Sequence, residues 1–430
     1  MSQKIIGQEI YKLAKSLWPL NRSLTGDGVR ETLNIIKKLL PNLKIKEVPT
    51  GTKVFDWTIP KEWKVNKAYI VDPNGNKICD FSKNNLHLVG YSTPFTGTLS
   101  LEELNNHLYS IEDQPDAIPY LTSYYKKKWG FCLTHHQRKG LSKGQYKVIV
   151  DTKLFDGSLT YGELIIKGKS KKEVFLSTYI CHPSMANNEL SGPTVLTYLA
   201  KWLQDHKKRG LTYRIIFIPE TIGSITYLSI NYKWMKKNII AGFNVTCVGD
   251  NRAYSYLPSR DGATMSDNIA KHVLNWTDPN FIRYTWLDRG SDERQYCAPG
   301  IDLPIASICR SKYEEYPEYH TSLDTLGEVV TPKGLDGGYW VIRKALELIE
   351  KNKKFKVTVL GEPQMGKRGL YPSMSIKNID DQTFLMMNFI SYCDGKTSLL
   401  DIADKLNIPV WDLYEIIDKL ETHNLITSNI

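Results

Sequence analysis

Apolar and polar positions follow two different spacings over residues 145–350. Short β-branched runs typical of buried strands recur at residues 173–180, 213–220, 241–249 and 303–310. Segments with the 3.6-residue spacing of amphipathic helices are interspersed with them, at residues 192–206, 225–237, 262–276 and 332–352. This order predicts an α/β domain with a mainly parallel sheet flanked by helices, in which ligands collect beyond the carboxyl ends of the strands.

Residues 44–130 have a different pattern, in which short strand-like pieces are broken by Asn, Gly and Pro. Such a pattern predicts a β-rich subdomain inserted into the main domain. The helical segment SLTGDGVRETLNIIKKLLP that precedes it is expected to pack on the main domain. We therefore assign residues 1–43 and 131–360 to one domain and residues 44–130 to the insert.

A third pattern follows a Gly- and Pro-rich linker at residues 361–374. Two helical segments lead through an Ile-Pro turn to a third, which is the order of a winged helix, with a simple helical cap as the alternative. From Ile376 onward the chain carries four lysines against nine aspartates and glutamates, a net charge of −5. Because a DNA-binding module needs a basic face, residues 361–430 are expected to serve docking or dimerisation instead.

Composition narrows the class of protein. Among the 430 residues, no apolar run approaches the roughly 18 residues of a membrane span. The amino end lacks a signal-peptide pattern, so we expect a cytoplasmic protein without membrane association. Seven scattered cysteines without a CxxC pair predict neither a disulfide framework nor a thiolate zinc site. The net charge of +10 is spread over short clusters, so nucleic-acid binding is not expected, whereas homo-oligomerisation through the insert or the C-terminal module is.

Titratable side chains stand where the predicted strands end. His182 and Glu189 follow the first strand, Glu220 ends the second, Asp250 follows the third, and His320 lies after the last. Because the ends of parallel strands meet at one edge of a sheet, we expect these groups to lie close together. Imidazoles and carboxylates are the ligands of hydrolytic zinc, which activates water and polarises a carbonyl. Glu220 also closes an apolar run, where burial favours the raised pKa of a general base.

Each residue also has a simpler interpretation. His182 taken alone is consistent with a structural histidine, and Glu189 with a carboxylate favoured at a helix start. His320 with Ser322 and Asp324 would suit nucleophilic catalysis, but the chain contains no GxSxG elbow. A serine hydrolase is therefore not favoured.

The order of several motifs adds a resemblance. The segments CHPSMANNELSG, FIPETIGS, FNVTCVGD, GSDERQY and EYHTSLDT resemble, in that order, the signatures of the zinc-dependent aminopeptidase and glutaminyl cyclase superfamily. With LWPLNRSLTGDGVRETL and VFDWTIPKEW, they resemble more closely a bacterial aminopeptidase-like family, long described only as a domain of unknown function. That family has an inserted small domain and a C-terminal winged helix, and the resemblance covers nearly the whole chain.

The resemblance implies a zinc-exopeptidase-like fold and roles for particular residues. His182 and His320 would be the first and last histidine ligands, and Glu220 would be the general base acting on zinc-bound water. Glu189 would complete three protein ligands that leave an open position for water.

Three positions depart from the superfamily pattern. Asn188, Thr221 and Thr246 stand where co-catalytic members carry acidic metal ligands. Neutral side chains do not hold two adjacent dications together, because the repulsion between the ions must be offset by anionic ligands. We therefore expect one zinc ion rather than two.

Four further residues are assigned supporting roles. Asp250 is a reserve metal ligand, or else it orients a histidine or binds a substrate amine. Asp292 is expected to cap a helix or to support a metal ligand from behind. Tyr319 would donate a hydrogen bond to a tetrahedral oxyanion, and Arg260 would anchor a substrate carboxylate.

The sequence thus predicts an aminopeptidase-like metallohydrolase that acts on an amide or peptide bond of a small peptide or an amide-containing small molecule. One alternative is a glutaminyl-cyclase-like acyltransferase, in which zinc polarises the carbonyl attacked by the substrate's own amine. The other is a binding or regulatory protein that retains the peptidase fold without its chemistry. The three departures favour this last alternative, and Glu220 disfavours it.

Overall fold

The computed structural model describes residues 6–124, 126–206, 209–370 and 381–429. The chain divides into two compact units. The first contains the residues up to Asp267 together with Phe281–Trp340, and the second contains Asn268–Asn280 together with the chain from Val341 onward. Of the predicted linker at residues 361–374, the last part, residues 371–374, lies outside the described residues.

The elements of the described residues are numbered in chain order. The strands are β1 Lys44–Pro49, β2 Lys53–Val54, β3 Trp57–Thr58, β4 Glu62–Val71, β5 Lys77–Ile78, β6 Phe95–Ser100, β7 Leu108–Tyr109, β8 Phe131–Cys132, β9 Gln145–Phe155, β10 Ser158–Ile166, β11 Glu173–Tyr179, β12 Thr212–Ile218, β13 Ile239–Asn244, β14 Ser255–Leu257, β15 Ile282–Arg283, β16 Ile305–Cys309, β17 Lys354–Val357, β18 Asp394–Ser398 and β19 Ile426–Asn429. The α-helices are α1 Ile6–Leu17, α2 Asp27–Leu39, α3 Leu101–Asn105, α4 His135–Lys139, α5 Ser191–Asp205, α6 Ile222–Asn238, α7 Met265–Asn275, α8 Glu293–Tyr296, α9 Pro332–Lys351, α10 Asp381–Ser391, α11 Leu399–Leu406 and α12 Tyr414–Thr422. A π-helical turn at Ala186–Leu190 precedes α5.

The largest sheet of the first unit has eight strands in the order β1-β10-β12-β11-β13-β16-β14-β15. The four middle strands, from β12 to β16, run parallel to one another. On one side β10 and β1 continue the sheet in antiparallel fashion, and on the other side β14 pairs antiparallel with β16. The predicted α/β class with a mainly parallel sheet is confirmed.

The middle of this sheet is covered on both faces. Every residue of β11 and of β12 is buried, as expected of parallel strands between layers of helices. The chain leaves β11 through a turn and returns as α5, which has Gly192 in its first turn. A Cβ atom on Gly192 would lie 2.4 Å from the carbonyl oxygen of Val245, so this close approach of α5 to the sheet requires glycine.

The insert is built on a four-stranded antiparallel sheet in the order β5-β4-β9-β6. Its limits differ from the predicted residues 44–130 at both ends. Strand β1 pairs with β10 in the main sheet, whereas β9 pairs with β4 and β6 in the insert. The prediction was wrong here because an alternating pattern identifies a strand but not the sheet that the strand joins.

The second unit contains the elements of the predicted winged helix. Strands β17, β18 and β19 form an antiparallel sheet, and α10, α11 and α12 belong to the same unit. Because β17 pairs with both other strands, the module begins before residue 361. The end of α7 is also part of this unit: the backbone N–H of Val410 donates to His272 Nε2 at 3.0 Å, and His272 Nδ1 lies 2.7 Å from a carboxylate oxygen of Asp404.

Two further expectations concern the whole chain. None of the helices in the described ranges combines the length and apolar character that crossing a bilayer requires. All seven cysteines are buried and free, in agreement with the prediction that they form no disulfide framework.

Candidate functional site

Three of the predicted site residues meet at the carboxyl end of the main sheet. His182 follows β11, Glu220 follows the neighbouring strand β12, and His320 comes from the loop after β16. His182 Nε2 lies 3.6 Å from Glu220 Oε2, and the ring centroids of His182 and His320 are 5.5 Å apart. The structure therefore places an imidazole pair and a carboxylate side by side.

The His182 ring is held from behind by Glu189. One carboxylate oxygen of Glu189 accepts the backbone N–H of His182 at 3.0 Å and lies 3.0 Å from His182 Nδ1. This contact places the ring proton on Nδ1 and leaves the lone pair of Nε2 directed toward Glu220. Burial, and then the charge of Arg22, lower the pKa of His182 to about 3, so the ring is neutral.

Glu189 also pairs with Arg22. Its other oxygen lies 3.0 Å from Arg22 Nε, and both side chains are fully buried. Burial raises the pKa of Glu189, while the Arg22 guanidinium acts in the opposite direction. A cation bound to Glu189 would lie beside this guanidinium, and the predicted role of Glu189 as a metal ligand stays a prediction.

Arg22 was missed by the sequence reasoning. Its guanidinium donates to the carbonyl oxygens of Leu17 at 2.8 Å and of His182 at 3.0 Å, and it pairs with Glu189. The segment between α1 and α2 thereby becomes part of the site. Nothing in the local pattern around Arg22 indicates this role, because all but one of its partners lie more than 150 residues away along the chain.

Glu220 stands at a strained bend. Its Oε1 accepts a hydrogen bond from Ser291 Oγ at 2.7 Å, and its backbone N–H donates to Cys181 Sγ at 3.2 Å. The next residue, Thr221, has a φ of 63°, which is unfavourable for a β-branched residue. Burial, and then the nearby Asp292 carboxyl, raise the pKa of Glu220 to about 8.

His320 also adopts a left-handed backbone conformation, with a φ of 55°. The ring of Tyr319 stacks on its imidazole with centroids 3.9 Å apart. Burial, and then His182, lower the pKa of His320 to about 3. Its Nε2 is buried and has no hydrogen-bond partner among the described residues. A buried, neutral and unsatisfied nitrogen is costly in a folded protein unless it has a use.

The insert reaches the site through Tyr120, which the sequence reasoning also missed. The backbone N–H of Tyr120 donates to the carbonyl oxygen of His320 at 2.8 Å. Its ring meets both imidazoles edge-on, with centroids 5.3 Å from His182 and 5.1 Å from His320. The insert therefore contributes a wall of the site.

Two of the three positions that depart from the superfamily pattern are joined by an uncharged chain of hydrogen bonds. Thr246 Oγ1 donates to the hydroxyl of Tyr179 at 2.5 Å, and this hydroxyl donates to Asn188 Oδ1 at 3.0 Å. All three side chains are buried. A tyrosine hydroxyl thus joins two of the positions at which co-catalytic relatives were expected to carry acidic ligands.

Asp250 and Arg260 both have partners within the fold. The carboxylate of Asp250 accepts from the backbone N–H and hydroxyl of Ser311 at 2.8 and 2.9 Å and from the amide of Asn187 at 3.1 Å. These contacts tie the segment that carries Asp250 to Ser311 and to Asn187. Arg260 forms an ion pair with Asp302, and within the described residues no contact joins it to His182 or His320. Both side chains are engaged in these contacts, and their predicted roles at the site stay predictions.

Asp292 and Tyr319 are close to the site. Asp292 accepts the backbone N–H of Thr221 at 2.7 Å and the hydroxyl of Ser224 at 2.8 Å, which caps the start of α6 as one of its predicted roles. Burial raises the pKa of Asp292 to about 7. Tyr319 lies against His320, and its hydroxyl makes no hydrogen bond to any described residue.

The alternative nucleophilic triad does not form. Ser322 Oγ accepts the backbone N–H of Ile118 at 2.9 Å. The carboxylate of Asp324 accepts the backbone N–H groups of Asn187 and Asn188 at 2.7 and 2.9 Å. Both groups are therefore engaged elsewhere, and the serine-hydrolase interpretation has no geometric support.

Groups that could donate to a cation lie on both sides of the His182 ring. Cys181, His182 and Glu189 are close enough together to bind an ion, but Arg22 occupies Glu189, and burial raises the pKa of the Cys181 thiol well above its usual value. On the Nε2 side, Glu220 Oε2 lies 3.6 Å from His182 Nε2 and the two histidine ring centroids are 5.5 Å apart, so these three residues are spaced more widely than the first group. Imidazole nitrogens suit zinc.

Comparison with known proteins supports the fold. The profile of a domain of unknown function, DUF4910, matches residues 11–352, and that of a winged helix-turn-helix matches residues 353–428. A protein of Clostridium acetobutylicum named "Putative polysaccharide biosynthesis protein with aminopeptidase-like domain" is 44% identical over 401 residues, or 93% of this chain and 91% of that protein. The predicted aminopeptidase-like and winged-helix domains are thus confirmed.

Two solved structures are similar. The crystal structure of a "putative peptidase" from Clostridium acetobutylicum has a TM-score of 0.92 and 42% identity, covering 99% of this chain and 97% of that one. A zinc aminopeptidase from Bacillus subtilis has a TM-score of 0.59 and 13% identity, covering 81% of this chain and 96% of that one. At 13% identity, the similarity to the Bacillus subtilis enzyme concerns the fold alone, and this fold agrees with the predicted zinc-exopeptidase class.

Proposed function

From the premise that this chain belongs to the DUF4910 family and has an aminopeptidase-like fold, we propose that it is a metal-dependent hydrolase of an amide bond. The observation that carries the proposal is the meeting of His182, Glu220 and His320, with His182 Nε2 3.6 Å from Glu220 Oε2. Two neutral imidazoles beside a half-buried carboxylate are suited to binding a cation and moving a proton. Packing alone gives no reason to bury the unsatisfied Nε2 of His320.

His182 and His320 would hold the cation. Glu189 and Arg22 fix the His182 ring, so that Nε2 is already directed into the site before anything binds. Tyr319 fixes the His320 ring by stacking. A zinc ion bound there would supply Lewis acidity, which polarises an amide carbonyl and makes water more acidic.

Glu220 would accept the proton of the attacking water and return it to the leaving amine. Ser291 occupies Oε1, so Oε2, which faces His182, is the oxygen available for the proton. Burial raises the pKa of Glu220, which helps the carboxyl to retain a proton, whereas a neighbouring cation favours the carboxylate that must be present first. The two influences together suit a group that alternates between the two forms.

We propose one ion rather than two. The chain of hydrogen bonds from Thr246 through Tyr179 to Asn188 is neutral and buried. It offers no negative charge to offset a second dication. Glu220, whose Oε2 lies 3.6 Å from His182 Nε2, is then the carboxylate that stands beside the single ion.

Two classes of amide substrate are candidates, and experiment can distinguish them. An aminopeptidase-like fold favours a small peptide, whereas the name of the Clostridium acetobutylicum relative combines such a domain with polysaccharide biosynthesis and favours an N-acylated amino sugar.

We propose that the winged helix, whose segment from Ile376 has a net charge of −5, docks another protein or a second copy of the chain rather than nucleic acid.

Incubation with zinc and a panel of amides tests the proposal. We expect release of a free amine from an aminoacyl anilide, a dipeptide or an N-acetylated amino sugar, abolished by a zinc chelator and restored by zinc. Release of ammonia from an amino-terminal glutamine peptide without uptake of water would instead indicate a cyclase. Binding of the panel without turnover at any zinc concentration would indicate a protein that has lost the chemistry.

A further inference from the structure

A groove leads away from the histidines along the first unit. Two cavities, of about 660 and 370 Å³, share Pro19, Asn21 and Phe81 in their walls, so they adjoin one another. The smaller one reaches Ser184 and Ser322, each two residues beyond a site histidine. The groove therefore runs between the segment that follows α1, the helix α2 and the insert, and its smaller part is lined by residues that follow the two site histidines closely in the chain.

The groove is lined by uncharged groups that both donate and accept hydrogen bonds. The side-chain amides of Asn21 and Asn34 make no hydrogen bond to any described residue. Asn84 uses its oxygen to accept the backbone N–H of Leu86 at 3.0 Å, which leaves its NH₂ group for a ligand. An amide offers a donor and an acceptor side by side, which matches the hydroxyl groups on adjacent carbons of a sugar.

Aromatic rings form other parts of the wall. Trp18 and Phe81 are half-buried and line the smaller cavity, and Trp63 lines the larger one. Trp63 is fixed by a hydrogen bond from Nε1 to the carbonyl oxygen of Ser92 at 3.0 Å and by stacking on Tyr91. Rigid aromatic surfaces bind the apolar C–H faces of a ligand with little loss of conformational freedom.

Charges along the groove largely neutralise one another. Arg30 pairs with Asp27 at 2.9 Å and also contacts Glu62, and Lys64 lies 3.6 Å from Asp27. No cluster of one sign remains among the described lining residues to bind a phosphate, a nucleotide or the charged end of a peptide. The groove thus suits a ligand that is neutral, rich in hydroxyl groups and extended.

We propose that this groove binds a neutral oligosaccharide and presents an N-acyl group of one of its sugars to the site. The inference rests on the proposed amide hydrolysis for its last step, but the binding step is independent of it. An uncharged peptide is the competing ligand, since it also offers amides but lacks sugar rings that would pack on Trp18 and Phe81.

Calorimetric titration of the full-length Glu220→Gln protein tests the binding step, because the probe is not consumed. The probes are the tetramer of N-acetylglucosamine and acetyl-tetraalanine amide. We expect saturable binding of the saccharide, weakened about tenfold or more by Asn21→Ala and by Phe81→Ala. Asn74→Ala, at an exposed turn that lines neither cavity, should bind as well as the parent protein. Each variant is compared with the parent by thermal unfolding, so that a loss of binding is not confused with a loss of folding.

Three results would overturn the inference, and a fourth would separate it from the proposed reaction. Preferential binding of the peptide would assign the groove to a different class of ligand. Equal saccharide binding by all variants would place the sugar elsewhere, and no saccharide binding would remove it altogether. Saccharide binding that depends on Asn21, without any hydrolysis by the zinc-loaded wild-type protein, would keep the groove and reject the proposed reaction.

Discussion

Glu220→Gln is expected to lower kcat for amide hydrolysis by about 10²- to 10⁴-fold, the usual contribution of a positioned general base. The amide has nearly the shape of the carboxylate, and its oxygen can still accept the hydrogen bond that Ser291 donates to Glu220 at 2.7 Å. It cannot take up a proton from water. The measurement is kcat of the zinc-loaded protein, with the metal content determined on the same sample.

The matched control for this variant is Glu112→Gln, at a carboxylate that is 77% exposed in the insert. It should leave both turnover and metal content unchanged. Unaltered turnover in Glu220→Gln would remove Glu220 from the chemistry. Loss of the metal in the same variant would make Glu220 a ligand and contradict its assignment as the proton acceptor.

Arg22→Leu is expected to lower the free energy of unfolding by about 3–5 kcal/mol, because removing one partner of a buried ion pair leaves the other uncompensated. Arg22 and Glu189 are both fully buried, with Nε 3.0 Å from the carboxylate. The variant also removes the donor of the hydrogen bonds that the carbonyl oxygens of Leu17 and His182 accept from the guanidinium. Urea unfolding followed by circular dichroism measures the loss.

Arg252→Leu is the control for this second variant. Arg252 forms a two-contact ion pair with Glu318 at 2.7 and 2.8 Å, but 44% of its side chain is exposed. Its removal should cost no more than about 1 kcal/mol. The double variant Arg22→Leu with Glu189→Leu should recover part of the stability that Arg22→Leu loses. If Arg22→Leu alone were as stable as the wild type, the buried ion pair between Arg22 and Glu189 would not stabilise the fold as claimed.

The sequence predicted the parts of the fold that rest on local pattern. The runs that became β11, β12, β13 and β16 were identified because fully buried parallel strands are continuous apolar segments. Their carboxyl ends had to converge once the sheet was parallel. That rule groups His182, Glu220 and His320 from the sequence alone.

The direction of each side chain could not be read from the same pattern. Glu189 is seven residues from His182 and was assigned to the metal, but it turns to Nδ1 of the ring because Arg22 attracts it. Asp250 lies six residues beyond the end of β13, and Ser311 donates two hydrogen bonds to its carboxylate. Such choices depend on which partners the fold brings within hydrogen-bond distance.

Contacts between distant segments were missed for the same reason. Arg22 precedes α2, and Tyr120 belongs to the insert, so neither is close in sequence to the strands that carry the histidines. Both reach the site through long-range contacts, Arg22 to Glu189 and Tyr120 to the backbone of His320. A single sequence offers no periodic or spacing signal for contacts of this type.

The metal content of the purified, zinc-dialysed protein tests the central claim most directly. We predict one zinc per chain in the wild type, and close to none in His182→Ala and in His320→Ala, with the folded state confirmed by circular dichroism. The exposed histidine variant His136→Ala, whose ring is 64% exposed beside Asp116, should retain the ion. Two ions per chain, or one ion that survives both site substitutions, would contradict a single metal held by His182 and His320.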